Sequence, residues 1–116
     1  MGVLKKTKND MYNTTLSIFE LIKIEPVKSI EVYNRFINWV TGEFDLYLKN
    51  KSKELKVYFP NGWFSIGCFK NENQQINIKI KVKGKSKIAC QKIMNQLELI
   101  YHHVLRFTES NNVNLG

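Results

Sequence analysis

From Glu54 onward the chain alternates polar and apolar residues with a period of two. Leu55, Val57 and Phe59 alternate with Glu54, Lys56 and Tyr58. Pro60-Asn61-Gly62 then reads as a tight turn, because Asn and Gly tolerate the positive φ that such turns demand. In the next segment Phe64, Ile66 and Cys68 share one face, and Trp63, Ser65, Gly67 and Phe69 share the other. Asn71-Glu72-Asn73 predicts a further turn. After it, Ile76, Ile78, Ile80 and Val82 alternate with Asn77, Lys79, Lys81 and Lys83. Ahead of these three strands, Phe44, Leu46 and Leu48 alternate with Glu43, Asp45, Tyr47 and Lys49. The pattern predicts a four-strand meander with an apolar side and a side carrying Tyr47, Lys49, Lys56, Tyr58, Lys79, Lys81 and Lys83, joined by Trp63 and Phe69.

The period changes on both flanks. Ile30, Tyr33, Ile37 and Val40 recur at helical spacing after Pro26, with Ser29 placed to cap and Gly42 where a left-handed C-terminal residue belongs. This predicts a helix over about 30–41. Gly84-Lys85-Ser86 closes the meander, and Ser86 can cap a second helix over about 87–107. Its apolar stripe is Ala89, Ile93, Leu97, Ile100, Val104 and Phe107. Residues 15–24 are two-sided: Leu16, Ile18, Ile22 and Ile24 alternate with a breach at Glu20, whereas Leu16, Phe19 and Ile22 suit a helix. The β-branched content favours a strand. The order β-α-β-β-β-β-α predicts a two-layer α+β domain, with an antiparallel four- to five-stranded sheet, helices on one face and the other face open. One domain over 13–108 is expected, with a flexible basic arm at 1–12 (Lys5, Lys6, Lys8) and a flexible tail at 109–116.

Composition bears on the open face. The 116 residues carry a net charge of +8, and basic residues outnumber acidic ones 18 to 10. Such an excess favours acidic partners. There are 13 Asn, 12 Ile and 16 Lys against one Ala and two Arg, the skew of an AT-rich genome. That bias accounts for Lys over Arg, but less well for basic over acidic. Small size and this skew suit a phage, plasmid or other mobile element. No acid occurs between Glu72 and Glu98, while Lys79, Lys81, Lys83, Lys85, Lys87 and Lys92 do. Lysines neutralise phosphates, and aromatics among them offer faces to unpaired bases. Nucleic acid is therefore the expected partner, contacted through Tyr47, Lys49, Lys56, Tyr58, Trp63, Lys79, Lys81, Lys83 and Lys85. Scarce arginine argues against bidentate guanine readout, so low sequence specificity is expected. Solvated strand lysines, or a face covered by a protein partner, are the competing accounts.

Candidate chemistry is sparse. Asp45 with Glu54-Leu55-Lys56 resembles the PD-(D/E)xK nuclease pattern, in which paired carboxylates hold a metal and the lysine serves the attacking water. Phe44 precedes Asp45 where that pattern has Pro, and a meander is not that family's alternating core, so exposed strand charges are the simpler account. His102 and His103 are adjacent on a helix and point about 100° apart, which suits one half-buried and one exposed histidine better than a metal site. Cys68 and Cys90 lie in apolar contexts and read as buried free thiols, pointing to a reducing, cytoplasmic compartment. No apolar run approaches a membrane span and there is no secretory apolar region. Neither catalysis nor a cofactor or metal is expected.

Two segments carry a family resemblance. Asn61-Gly62-Trp63-Phe64-Ser65-Ile66-Gly67-Cys68 resembles the Asn-Gly hairpin and following strand of the TATA-box-binding-protein fold. Lys81-Val82-Lys83-Gly84-Lys85-Ser86 resembles its strand-to-helix junction. The element order over about 15–107 is similar to one half of that fold. The resemblance implies an open sheet face used for binding, often to DNA, and a homodimer that completes a saddle.

Overall fold

The computed structural model describes residues 17–51 and 53–115, so the arm expected at 1–12 lies outside the described residues. The elements are β1 (Phe19–Pro26), α1 (Ile30–Glu43), β2 (Leu48–Lys51), β3 (Leu55–Phe59), β4 (Gly62–Lys70), β5 (Ile76–Gly84) and α2 (Lys87–Leu115). The strands form one antiparallel sheet in the order β1-β5-β4-β3-β2. The meander runs from β2 to β5, and β1 returns to pair with β5, Leu21 opposite Val82. β5 is thereby a central strand, flanked by β1 and β4. Both helices cover one face and leave the other open, which is the two-layer α+β arrangement expected.

Local chemistry sets the turns and helix starts. Asn61 sits at φ 66° in the β3–β4 hairpin, a left-handed position that Asn tolerates better than most residues. Its carbonyl accepts from the Lys85 N–H at 3.0 Å, which ties the hairpin to the end of β5. Gly62 stands where the backbone of β4 meets that of β5. A Cβ there would run into the Lys83 carbonyl and lie 2.7 Å from the Phe59 ring. In the β4–β5 turn the Asn71 Oδ1 accepts from the N–H groups of Asn73 (2.9 Å) and Gln75 (3.0 Å). Ser29 caps α1 by accepting from the Val32 N–H at 3.3 Å, and Ser86 caps α2 by accepting from the Ala89 N–H at 3.1 Å.

The core lies between the helices and the inward pleats. Phe36 and Val40 of α1, Leu97 and Val104 of α2, and Val57, Phe64, Ile66 and Val82 of the sheet are fully buried. Phe36 meets Tyr101 edge-on at 5.2 Å, joining the two helices. Two tyrosines fasten helices to strands. The Tyr33 hydroxyl donates to the Ile66 carbonyl at 3.3 Å, and the Tyr101 hydroxyl donates to the Pro26 carbonyl at 3.1 Å. Burial pushes the Tyr33 phenol up to about 12, so it stays neutral in the fold far above ordinary pH. At the β1 edge Lys23 bridges to Glu98 of α2 at 2.5 Å, a hydrogen bond that raises the lysine's pKa.

Several expectations are corrected. Gly42 does not end α1 in a left-handed conformation. The helix runs to Glu43, and Phe44, buried at its end, closes it through a 3.0 Å bond from its N–H to the Val40 carbonyl. The inward stripe of α2 is rotated at its start. Cys90 and Met94 are buried, whereas Ala89 and Ile93 are half-buried. Phe107 lies off the sheet against Trp39 at 6.2 Å, with the Arg35 guanidinium 5.0 Å above its ring. The helix runs past the end expected near 107, to Leu115. Of the thiols, Cys90 is buried but Cys68 is exposed at the end of β4. Both His102 and His103 are exposed.

Two glycines give opposite expectations. A Cβ at Gly42 meets nothing within 4 Å, so Gly42→Ala should stabilise the protein by about 0.5–1 kcal/mol through helix propensity. Gly62→Ala should destabilise it by roughly 1–3 kcal/mol, the usual cost of forcing atoms into filled space. Urea midpoints of the two variants against the parent check both signs. A third expectation concerns pH. The Tyr33 pKa is raised from 10.0 to about 12, so its contribution to stability is complete below pH 10 and is lost as pH climbs towards 12. Denaturation midpoints should fall more steeply across that window in the parent than in Tyr33→Phe.

Candidate functional site

The antiparallel register sorts the open face into rows that cross the sheet, since directly paired residues point to the same side. One row is Glu20, Lys83, Trp63, Tyr58 and Leu48, running from β1 to β2. The next is Ile22, Lys81, Ser65, Lys56 and Asn50. A third is Ile24, Lys79 and Gly67, with Glu54 beside the glycine. The last is Pro26, Asn77 and Phe69. Each of the first three rows has a β5 lysine in its interior. Lys79, Lys81 and Lys83 share this face because Ile78, Ile80 and Val82 are held on the other by the core.

Trp63 is the most engaged side chain of the face. The Lys56 ammonium lies 4.3 Å from its ring centre and the Lys83 ammonium 5.7 Å, so the indole lies between two cations. Lys56 also lies 6.0 Å from the Tyr58 ring. Each contact of this type at an exposed position contributes about 0.5–1 kcal/mol. Glu20 tempers the charge at one margin, with its carboxylate 3.9 Å from the Lys81 ammonium and 3.8 Å from that of Lys83. Past Ser65 the surface dips into a trough of about 400 Å³ over Gly67, lined by Ile24, Glu54, Phe69, Lys79 and Lys81 among others.

Of the residues expected on this face, Lys56, Tyr58, Trp63, Lys79, Lys81 and Lys83 are on it together. Lys85 stands just past β5, in the turn before α2. Tyr47 and Lys49 are placed otherwise. Lys49 pairs with Val57, on the helix-covered side, and its ammonium donates to the carbonyls of Asp45 (3.0 Å) and Tyr47 (2.9 Å). The Tyr47 ring packs edge-on against buried Phe44 at 5.6 Å. The reason is the turn between α1 and β2, in which the Tyr47 N–H bonds the Phe44 carbonyl at 3.1 Å. Phe44 belongs to the helix end, so the alternation begun there does not carry through the turn. Leu48 enters the sheet on the open face, 74% exposed.

The sequence also understated the aliphatic content of the face. Ile22 and Ile24 are 51% and 54% exposed and border the lysine column on β1. The signal was present as the breach at Glu20. An acid in step with Ile18, Ile22 and Ile24 marks their side as the one that meets lysines and water. The nuclease-like pattern does not assemble. Asp45 precedes β2 at the Leu48–Tyr58 end of the hairpin, and Glu54 precedes β3 at the opposite, Lys51–Leu55 end. Among the described residues no group of three His, Cys, Asp or Glu side chains could hold a metal ion, and no helix is long and apolar enough to cross a membrane.

The indole between two lysines makes a measurable prediction. A double-mutant cycle on Lys56→Met and Trp63→Leu should give a coupling of about 0.5–1 kcal/mol in chemical denaturation. A cycle on Lys92 and Trp63, residues on opposite sides of the sheet, should give none.

No protein-family model matches the chain, and no curated protein matches it.

Proposed function

We propose that the chain is a non-enzymatic nucleic-acid-binding domain and that the open face of its sheet is the contact surface. The observation that carries this reading is the column Lys79, Lys81 and Lys83 on a central strand, bordered by Trp63 held between Lys56 and Lys83. Lysine ammonium groups neutralise phosphates without reading sequence, and aromatic faces stack on bases of any identity. Sequence specificity is accordingly low. The resemblance of residues 61–68 and 81–86 to the TATA-box-binding-protein fold supports an open sheet as a DNA-binding surface. The free thiols of Cys68 and Cys90 suit a cytoplasmic location.

A second reading rests on a separate observation. Ile18, Ile22, Ile24 and Leu48 are each more than half exposed and lie at the two margins of the sheet. Apolar side chains on edge strands suit a protein partner, including a second copy of this chain, as in the saddle that the resemblance implies. Light scattering separates the two. A stable dimer that is dispersed by Ile22→Lys and fails to bind oligonucleotides favours this reading over the first.

The leading reading predicts strong salt dependence. Affinity for single- and double-stranded oligonucleotides, measured by fluorescence anisotropy, should fall steeply as salt rises. Replacing Lys79, Lys81 and Lys83 together with Met should flatten the log–log slope for a single strand by about 2, from roughly 0.7 for each lost phosphate contact. Undetectable binding at low salt, or a slope unchanged by the triple substitution, refutes the reading.

A further inference from the structure

On the reading just given, we infer that the face holds an extended single strand along β4 and β5, and that the trough over Gly67 takes an unpaired base bearing an exocyclic amino group. The lysine column matches the repeat of a nucleic-acid backbone. Lys79, Lys81 and Lys83 alternate along one strand, so successive ammonium stems emerge about 6.7 Å apart. This is comparable to the step between neighbouring phosphates along one nucleic-acid strand. Trp63 and Gly67 are four residues apart on β4, about 13 Å, or two such steps. A base stacked on the indole and a base in the trough are therefore two nucleotides apart on one strand. A duplex offers neither, since its base faces are covered by their neighbours.

The trough is shaped and lined for a planar ring. Gly67 keeps its floor low, and a Cβ there would stand 3.3 Å from the Glu54 Cβ. Phe69, 42% exposed, and Ile24 supply apolar contact for a planar ring. Lys79 and Lys81 stand at the rim for the flanking phosphates. Glu54 is the unexpected member. A carboxylate beside phosphate-binding lysines lowers affinity for a polyanion, and Glu54 makes no ion pair among the described residues that would account for it. An ionised carboxylate only accepts hydrogen bonds. It suits the amino group of cytosine, adenine or guanine, and it repels the carbonyl that uracil and thymine present where cytosine has its amino group.

The test compares oligo-dC with oligo-dU of equal length at pH 8, because the two differ at that group. The parent should bind oligo-dC about tenfold more tightly, the scale of one charge-assisted hydrogen bond in a partly open site. Glu54→Ala should bind oligo-dU more tightly than the parent does and bring the dC-to-dU ratio close to one. Phe69→Ala should weaken binding to oligo-dC more than to oligo-dU. Glu54 is exposed and lies outside the strands, and circular dichroism checks that its variant keeps the fold. Equal binding of the two oligomers by the parent, or a preference for oligo-dC that survives Glu54→Ala, overturns the base pocket while leaving the nucleic-acid reading standing. Binding of neither oligomer by the parent overturns both.

Discussion

The pleat of β5 is the constraint on which both sides of the molecule depend. Ile78, Ile80 and Val82 are locked between the helices and the neighbouring strands, and each is nearly or fully buried. A strand has a period of two, so fixing that set fixes Lys79, Lys81 and Lys83 on the opposite side. A slip of one residue would bury three ammonium groups and expose Ile78, Ile80 and Val82. The register that makes the core thus also makes the charged column. β1 and β4 hold it from both sides, and the Gly62 contact with the Lys83 carbonyl leaves no room for a side chain at the β4–β5 crossing.

The helices complete the same division. α1 and α2 cover the apolar side, meet through Phe36 and Tyr101, and are fastened to the strands by the Tyr33 and Tyr101 hydroxyls. Every row of the open face is consequently carried on a backing that is packed and hydrogen-bonded. Side chains on such a backing keep their spacing, which matters for a ligand recognised by the repeat of its charges. The acidic groups of the face sit at its borders, Glu20 on β1 and Glu54 before β3, and they leave the lysine column between them.

Much of this was legible in the sequence. Strict alternation over β3, β4 and β5 predicted their pleats, and Asn61-Gly62 marked the hairpin. The two serine caps and the three- and four-residue spacing of apolar positions in α1 predicted the helices. What was not legible depends on distance in space. The Tyr47 and Lys49 placement turned on whether Phe44 ends a helix or starts a strand, which packing against Phe64 at 5.0 Å decides. The exposure of Ile22 and Ile24 follows from pairing β1 with a strand more than fifty residues later, which local periodicity does not contain. The trough at Gly67 needs Glu54 beside it, a contact between the start of one strand and the middle of the next.

The most direct measurement of the central claim is a map of backbone amide chemical-shift changes on titrating a short single-stranded oligonucleotide. The changes should concentrate on residues 79–83 of β5, 63–69 of β4 and 56–58 of β3, with the outward faces of α1 and α2 unmoved. Changes concentrated on the helices, or none at concentrations that saturate nonspecific electrostatic binding, would contradict it.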